Sequence, residues 1–327
     1  MKVLKNLPIQ RVLFTAGLGM MIVLMAGCPQ KSGNVTVLVT AGNGVPAVTE
    51  VSIADFVSLV LSVDSVKLLK SATDAKGVEV LNGPTDIDMV DLAGVWQVLD
   101  TSEVKVNTYT HISVNISAAA LLVADGADEG GDPDTATVTI PEGGLVATIV
   151  QEVVVASEGS GLLSINLGGI HLTAPVAPAT EFTLAVQATS AGLSTEAKTD
   201  VLAIGALSAV DATAKTFTVT LGGAAATARG VTFDDTTVFI KEDGTAGTAA
   251  DLTAATLNAY VLGSLAATGA LTATDVALDD ATEDAGVAVC HVFGDVPTAA
   301  GTAITASRST AAAHLAHGDA AGDCTVE

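Results

Sequence analysis

The segment FVSLVLSVDSVKLL, residues 56–69, constrains the fold more than any other. Val57, Leu59, Leu61 and Val63 alternate with Ser58, Ser62 and Asp64, then the phase slips and Val66 and Leu68 continue the apolar face. A period of two puts one set of side chains in a core and the other in water, so the segment reads as a half-buried strand. The slip predicts a bulge or tight bend. HISVNIS repeats the pattern, with Ile112, Val114 and Ile116 on one face and His111, Ser113, Asn115 and Ser117 on the other. TATVTI (Ala136, Val138, Ile140), EFTLAVQA (Phe182, Leu184, Val186) and TFTVTL (Phe217, Val219, Leu221) do the same. By this alternation His111 points to water, and His171 falls on the face opposite Ile170 and Leu172.

Many short alternating segments with Gly punctuation predict an all-β chain. Hydrophobic residues make up 49% of it but aromatics only 3%, so any core is built of small aliphatic side chains. Residues 34–192 are expected to form an antiparallel β-sandwich. Within it Gly168-Gly169 predicts a bulge or crossing between strand halves. LAGVWQVL reads as a short helix whose Trp96, the only tryptophan, plugs one end. The polar stretch around 193–199 reads as a linker. Residues 200–279, with two strands around the turn DATAK, suit a small closed or partly open β-barrel. Residues 280–327 form a short Cys/His module.

Lys2, Lys5 and Arg11 precede an apolar run from Val12 to Ala26, the layout of a secretory signal over residues 1–27. Leu24-Met25-Ala26-Gly27-Cys28 resembles a bacterial lipobox, with the Leu four rather than three residues before the Cys. The resemblance implies diacylation of Cys28, a short tether over 28–33 and attachment to a membrane face through lipid. Pro29 is not the Asp associated with inner-membrane retention, so the outer membrane or cell surface is the expected address. Cleavage would leave 36 acidic residues against 13 − 3 = 10 basic ones. Such a chain lacks the basic patch that a nucleic-acid partner requires. Cations, an envelope polymer or another protein fit the acidic surface better.

Two further resemblances concern the body. DMVDL followed by VNTYTHISVNI is similar to an uncharacterised domain family of bacterial envelope lipoproteins, over about residues 50–190. That family implies an immunoglobulin-like or prealbumin-like sandwich and no known activity; Asn107 stands where it usually has Gly, a residue that tolerates a left-handed backbone. The Gly-x-Leu-x-x-Val-Asp run, FDDTTVF, ADL and LTAT resemble a second uncharacterised family, of small bacterial barrels, over about 200–279. The Gly expected after its Asp-Leu is replaced by TAATLNAY.

Chemistry is concentrated at the C-terminus, in Cys290, His291, His314, His317, Asp319 and Cys324. Thr310 to His317 reads as a short helix ended by Gly318, placing His314 and His317 on one face. The segment resembles a recurring terminal unit of bacterial exported proteins that opens with Cys-His and closes with Cys, over about 288–325. Two readings stay open. Cys290 and Cys324 form a disulfide, closing a loop of 324 − 290 = 34 residues; chain entropy assigns such a loop about 3.8 kcal/mol. Alternatively Cys290, Cys324 and two of His291, His314 and His317 bind zinc or another transition metal. No resident cofactor is otherwise expected. The acidic loop carrying Asp125, Asp128, Glu129, Asp132 and Asp134 lacks EF-hand spacing and reads as a solvated hairpin tip. No phosphate loop or Gly-x-Ser-x-Gly elbow occurs. The expectation is a non-catalytic, lipid-anchored envelope protein for scaffolding, adhesion or ligand display. A metal-binding lipoprotein and an envelope-polymer hydrolase are the alternatives.

Overall fold

The computed structural model describes residues 31–42, 47–49, 56–89, 92, 94–123, 134–136, 138–140, 144–173, 182–187, 190–221, 226–241, 245–252, 257–280, 287–291, 302–306 and 320–321. Strands are numbered in chain order. The first six are β1 (Ser32–Thr40), β2 (Ala47–Thr49), β3 (Phe56–Leu69), β4 (Val78–Asp88), β5 (Trp96–Lys105) and β6 (Asn107–Val123). Next come β7 (Asp134–Ala136), β8 (Val138–Thr139), β9 (Leu145–Val155), β10 (Ser160–Asn166), β11 (Gly169–Thr173), β12 (Phe182–Gln187) and β13 (Ser190–Ser194). The second half holds β14 (Lys198–Asp211), β15 (Thr216–Leu221), β16 (Ala228–Thr232), β17 (Val238–Ile240), β18 (Leu257–Leu265) and β19 (Leu271–Asp280). The tail carries β20 (Val287–His291), β21 (Thr302–Ala306) and β22 (Ala320–Ala321). The protein is all-β; among the described residues the one helical element is a 3-10 turn, Ala249–Asp251.

The apolar set of β3 behaves as the pattern requires, whereas Ser58, expected in water, is buried and donates its hydroxyl to the Asp88 carboxylate. Leu59, Leu61, Val63, Val66 and Leu68 are all buried, and the ladders to β4 and β6 both shift register between Val63 and Ser65. The slip is therefore a bulge at Asp64. β3 lies between β4 and β6, and β9 joins β6 on its far side. The inner face of this sheet meets Val35, Val37 and Val39 of β1, Leu99 and Val104 of β5, and Leu163 and Ile165 of β10 in one apolar cluster. Tyr109, fully buried there, donates its hydroxyl to the carbonyl of Lys105 at 3.1 Å. That bond back to a carbonyl a few residues upstream is the device that fixes strand entry in tyrosine corners. Asn107 opens β6 outside the left-handed region, its Oδ1 accepting the Thr108 N–H at 2.9 Å. A left-handed turn is thus not what this position needs here.

Two expectations change. Residues 96–99 are strand, not helix: Trp96 opens β5, and its half-buried ring lies 4.3 Å from the Lys198 ammonium. The aliphatic run here is buried on both faces of a central strand, and such a run looks like a buried helix in sequence. Of the stretch expected as a linker, Leu193 and Ser194 end β13 while Lys198 and Thr199 open β14. At Gly168-Gly169 the chain leaves β10 in one sheet for β11 in another. A Cβ on Gly168 would sit 2.5 Å from the Ala41 carbonyl, so the crossing passes too close to β1 for a side chain.

β14 pairs with β15, β15 with β16, β16 with β19, β19 with β18, and β18 again with β14. These pairings form a closed circuit of five strands. Its interior holds Phe217, Val219, Leu221, Val231, Val261 and Val276, with Phe233 edge-on to Phe239 at 5.5 Å. Closure brings backbones close: a Cβ on Gly205 or Gly263 would fall 2.0 Å from the carbonyl of Thr220 or Thr272. The circuit is also bonded to the first half, because Val201 and Leu202 of β14 run parallel to Trp96 and Gln97 of β5. One ten-stranded sheet therefore crosses from the first half to the second. Leu38, Val98 and Leu162 face away from the first cluster and into the second.

Candidate functional site

The residues singled out in the sequence fare unevenly. Cys28, His314, His317, Asp319 and Cys324 lie outside the described residues, as do Asp125, Asp128, Glu129 and Asp132. The expected helix over 310–317 lies outside them too. Asp134 opens β7. Cys290 and His291 end β20, the middle strand of a three-stranded sheet ordered β21-β20-β22. Cys290 is opposite Ala303 on one side and Ala320 on the other. Through the second pairing Cys290 is bonded to a strand that ends three residues before Cys324, although the cysteines are 34 positions apart in sequence. His171 sits on β11 opposite Ala185. Among the described residues no cluster of three or more His, Cys, Asp and Glu is arranged to hold a metal ion. None of the described helices is long and apolar enough to cross a membrane.

His111 is half-buried rather than free in water, and its Nδ1 lies 2.8 Å from the Thr110 hydroxyl. That hydroxyl donates to the Lys70 carbonyl at 2.8 Å. With its only proton so used, Thr110 accepts from His111, which places the imidazole proton on Nδ1. Through Thr110 the ring is thereby tied to the end of β3.

The most heavily functionalised site among the described residues is one that the motifs did not mark. Arg229 on β16 is 5% exposed and Asp100 on β5 is 4% exposed. The Arg229 Nη1 donates to the Gly269 carbonyl at 2.7 Å, and its Nη2 donates to the Thr101 hydroxyl. Gly269 reaches that position with φ +87°, in the region that favours glycine, and a Cβ there would lie 2.9 Å from Nη1. Asp100 Oδ1 accepts from the Thr101 N–H at 2.6 Å and the Thr227 hydroxyl at 2.5 Å. Thr101 and Thr36, the latter on β1 and buried, bring their hydroxyls to 2.9 Å. Burial pushes the guanidinium pKa down while the nearby Asp100 charge pushes it back up. Arg229 stays charged, since even a large downward shift leaves a guanidinium far above neutral pH.

This cluster draws on both halves: Thr36, Asp100 and Thr101 from one, Thr227, Arg229 and Gly269 from the other. Its donors and acceptors point at one another, with only the buried Arg229 Nε lacking a partner. A group that performs acid, base or nucleophilic chemistry needs an open side for the reacting atom. Here the charged groups are spent on joining the two halves across one sheet. The signal was present in the sequence: Arg229 keeps phase with Val231 and Phe233, both buried, so alternation already turned it inward.

No protein-family model, curated protein or solved structure matches the chain. The likeness of the two units to uncharacterised bacterial families accordingly rests on their motifs alone.

Proposed function

We propose that the chain is a non-catalytic envelope protein, anchored by lipid at Cys28, whose β-sandwich and small β-barrel form one rigid body for scaffolding, adhesion or display. The observation that carries this reading is the fusion of the two halves. A shared sheet, shared apolar residues and the Arg229–Asp100 cluster leave no hinge between them. A rigid body favours presenting a surface over closing on a substrate, because lids and domain closures require segments that move. The disulfide Cys290–Cys324 is the crosslink we assign to the tail, which has too little mass for a core of its own. The register of β20 against β22 supports it, since it ties Cys290 to the strand that leads to Cys324.

Anchoring is tested by expression in a bacterial host with a labelled fatty acid. The chain is expected to take up label and fractionate with membranes, and Cys28→Ala to abolish both; a Cys28→Ala variant that keeps its label overturns the anchor. The tail is tested by intact mass with and without reductant. A gain of two hydrogens on reduction is expected. Free thiols with one equivalent of zinc, lost when residues 288–327 are removed, would establish the metal-binding alternative instead.

A further inference from the structure

The basic residues between Cys28 and Ser194 are Lys31, Lys67, Lys70, Lys76 and Lys105, and all of them lie toward one end of the first half. Lys31 precedes β1, Lys105 ends β5, and Lys70 and Lys76 sit in the turn from β3 to β4. The Lys31 carbonyl accepts the Val106 N–H at 3.0 Å and the Lys70 carbonyl accepts the Thr110 hydroxyl at 2.8 Å, so these turns gather around the start of β6. Lys31, Lys70, Lys76, Lys105 and Val106 are exposed, whereas Lys67, further along β3, lies 3.6 Å from Glu79. Of the carboxylates at this end, Asp74 accepts the N–H groups of Lys70, Lys76 and Gly77, and Glu103 accepts the Ser32 hydroxyl. Glu152 and Glu158 are exposed. Charge is therefore near balance here, on a chain of formal net charge −23. At the opposite end β4 closes with Asp86 and Asp88, and β7 opens with Asp134 against Val123 of β6.

We propose that the lysine-bearing end rests on the membrane, its ammonium groups against the phosphates of lipid headgroups. This rests on the lipid anchor at Cys28. Lys31 follows that residue by 31 − 28 = 3 positions. An extended chain spans at most about 3.6 Å per residue, which keeps Lys31 within about 11 Å of the acylated cysteine. That distance is close to the screening length of about 8–10 Å, so headgroup charge acts on the lysines beside the tether. Anionic headgroups attract those ammonium groups and repel the acidic remainder. Both forces turn the end with Asp86 and Asp88 away from the bilayer. Acyl chains alone would hold the molecule without choosing which end meets the surface.

The test uses the full lipidated chain in vesicles, with a fluorophore on Ala75→Cys in the lysine turn or on Ser117→Cys. Ser117 is exposed and lies 117 − 107 = 10 residues along β6 from Asn107. At about 3.3 Å per residue that is about 33 Å, well beyond the reach of headgroup charge. Labelling is done without reductant, and the unsubstituted chain is the blank. Acrylamide quenching of the Ala75→Cys label is expected to fall at least twofold when phosphatidylglycerol is added to phosphatidylcholine vesicles. Protection is lost in about 0.5 M NaCl, where the screening length shortens to about 4 Å. It is also lost in Lys70→Gln/Lys76→Gln/Lys105→Gln, which still floats with the vesicles and keeps the wild-type circular dichroism. The Ser117→Cys label is quenched equally on both vesicle types. A chain that does not float overturns the anchor and this proposal together. A chain that floats but is quenched equally at Ala75→Cys on both vesicle types overturns the orientation alone. A triple variant that keeps its protection, or a protected Ser117→Cys label, overturns it as well.

Discussion

At Arg229 a charge lies inside the protein; at Val150 an aliphatic side chain lies outside it. Each reverses the usual partition, and the contrast shows what burial depends on. Around Arg229 the fold supplies the Gly269 carbonyl and the Thr101 hydroxyl as fixed acceptors in place of water, with the Asp100 charge nearby. Along β9 the outer face carries Val146, Val150 and Val154, each more than half exposed. The polar cluster closes the fold on itself, whereas the apolar stripe opens it outward.

The joint should break first. Asp100→Ala leaves the Arg229 charge buried without its carboxylate and the Thr227 hydroxyl without an acceptor. A loss of about 3–5 kcal/mol is expected, since two hydrogen bonds to a buried carboxylate go together, each worth about 1.5–3 kcal/mol. Urea titration measures it, and the paired change Asp100→Leu with Arg229→Met should cost less than the two single changes summed. Leu38→Ala probes the same junction through packing alone. It deletes a side chain that the first half inserts in the second cluster, with an expected cost of about 2–4 kcal/mol. Because the halves share this contact, both should unfold in a single transition. Two separated transitions in wild-type protein would contradict the fused body.

Smaller effects sharpen the contrast. Tyr109→Phe keeps the ring and removes its bond to the Lys105 carbonyl, for about 1 kcal/mol. Asp234 at the surface is held below the usual carboxylate range, chiefly by the Thr236 hydroxyl and then by backbone N–H groups. Its contribution is complete above the ordinary Asp pKa of about 4 and is lost as pH falls through the lower folded value. Asp234→Asn should therefore lower stability slightly at neutral pH and flatten the acid limb of the stability curve, the two chains converging well below about pH 4. Val150→Thr is expected to move stability by less than about 0.5 kcal/mol, as exposed positions do. A large stability change there would mean that β9 is covered within the monomer.

Local sequence was a good guide to which residues share a face. The burial of Leu59, Leu61 and Val63, the bulge at Asp64 and the DATAK turn were all legible. In that turn Asp211 Oδ1 accepts the Thr213 and Ala214 N–H groups, and Lys215 adopts φ +54°. Trp96 was misread because a strand buried on both sides loses its alternation. The Arg229 site went unmarked because its partners come from positions 36, 100, 101, 227 and 269, which no local motif connects.

The sequence by itself determined the all-β class, since a two-residue period matches the geometry of an extended chain and no other. Only the tertiary structure decided what lies over each face. Leu38 and Val37 are adjacent, and each is buried in a different core. Strand period separates those two faces, but the layer that covers each arrives from distant segments through sheet order and closure, which short-range patterns do not encode.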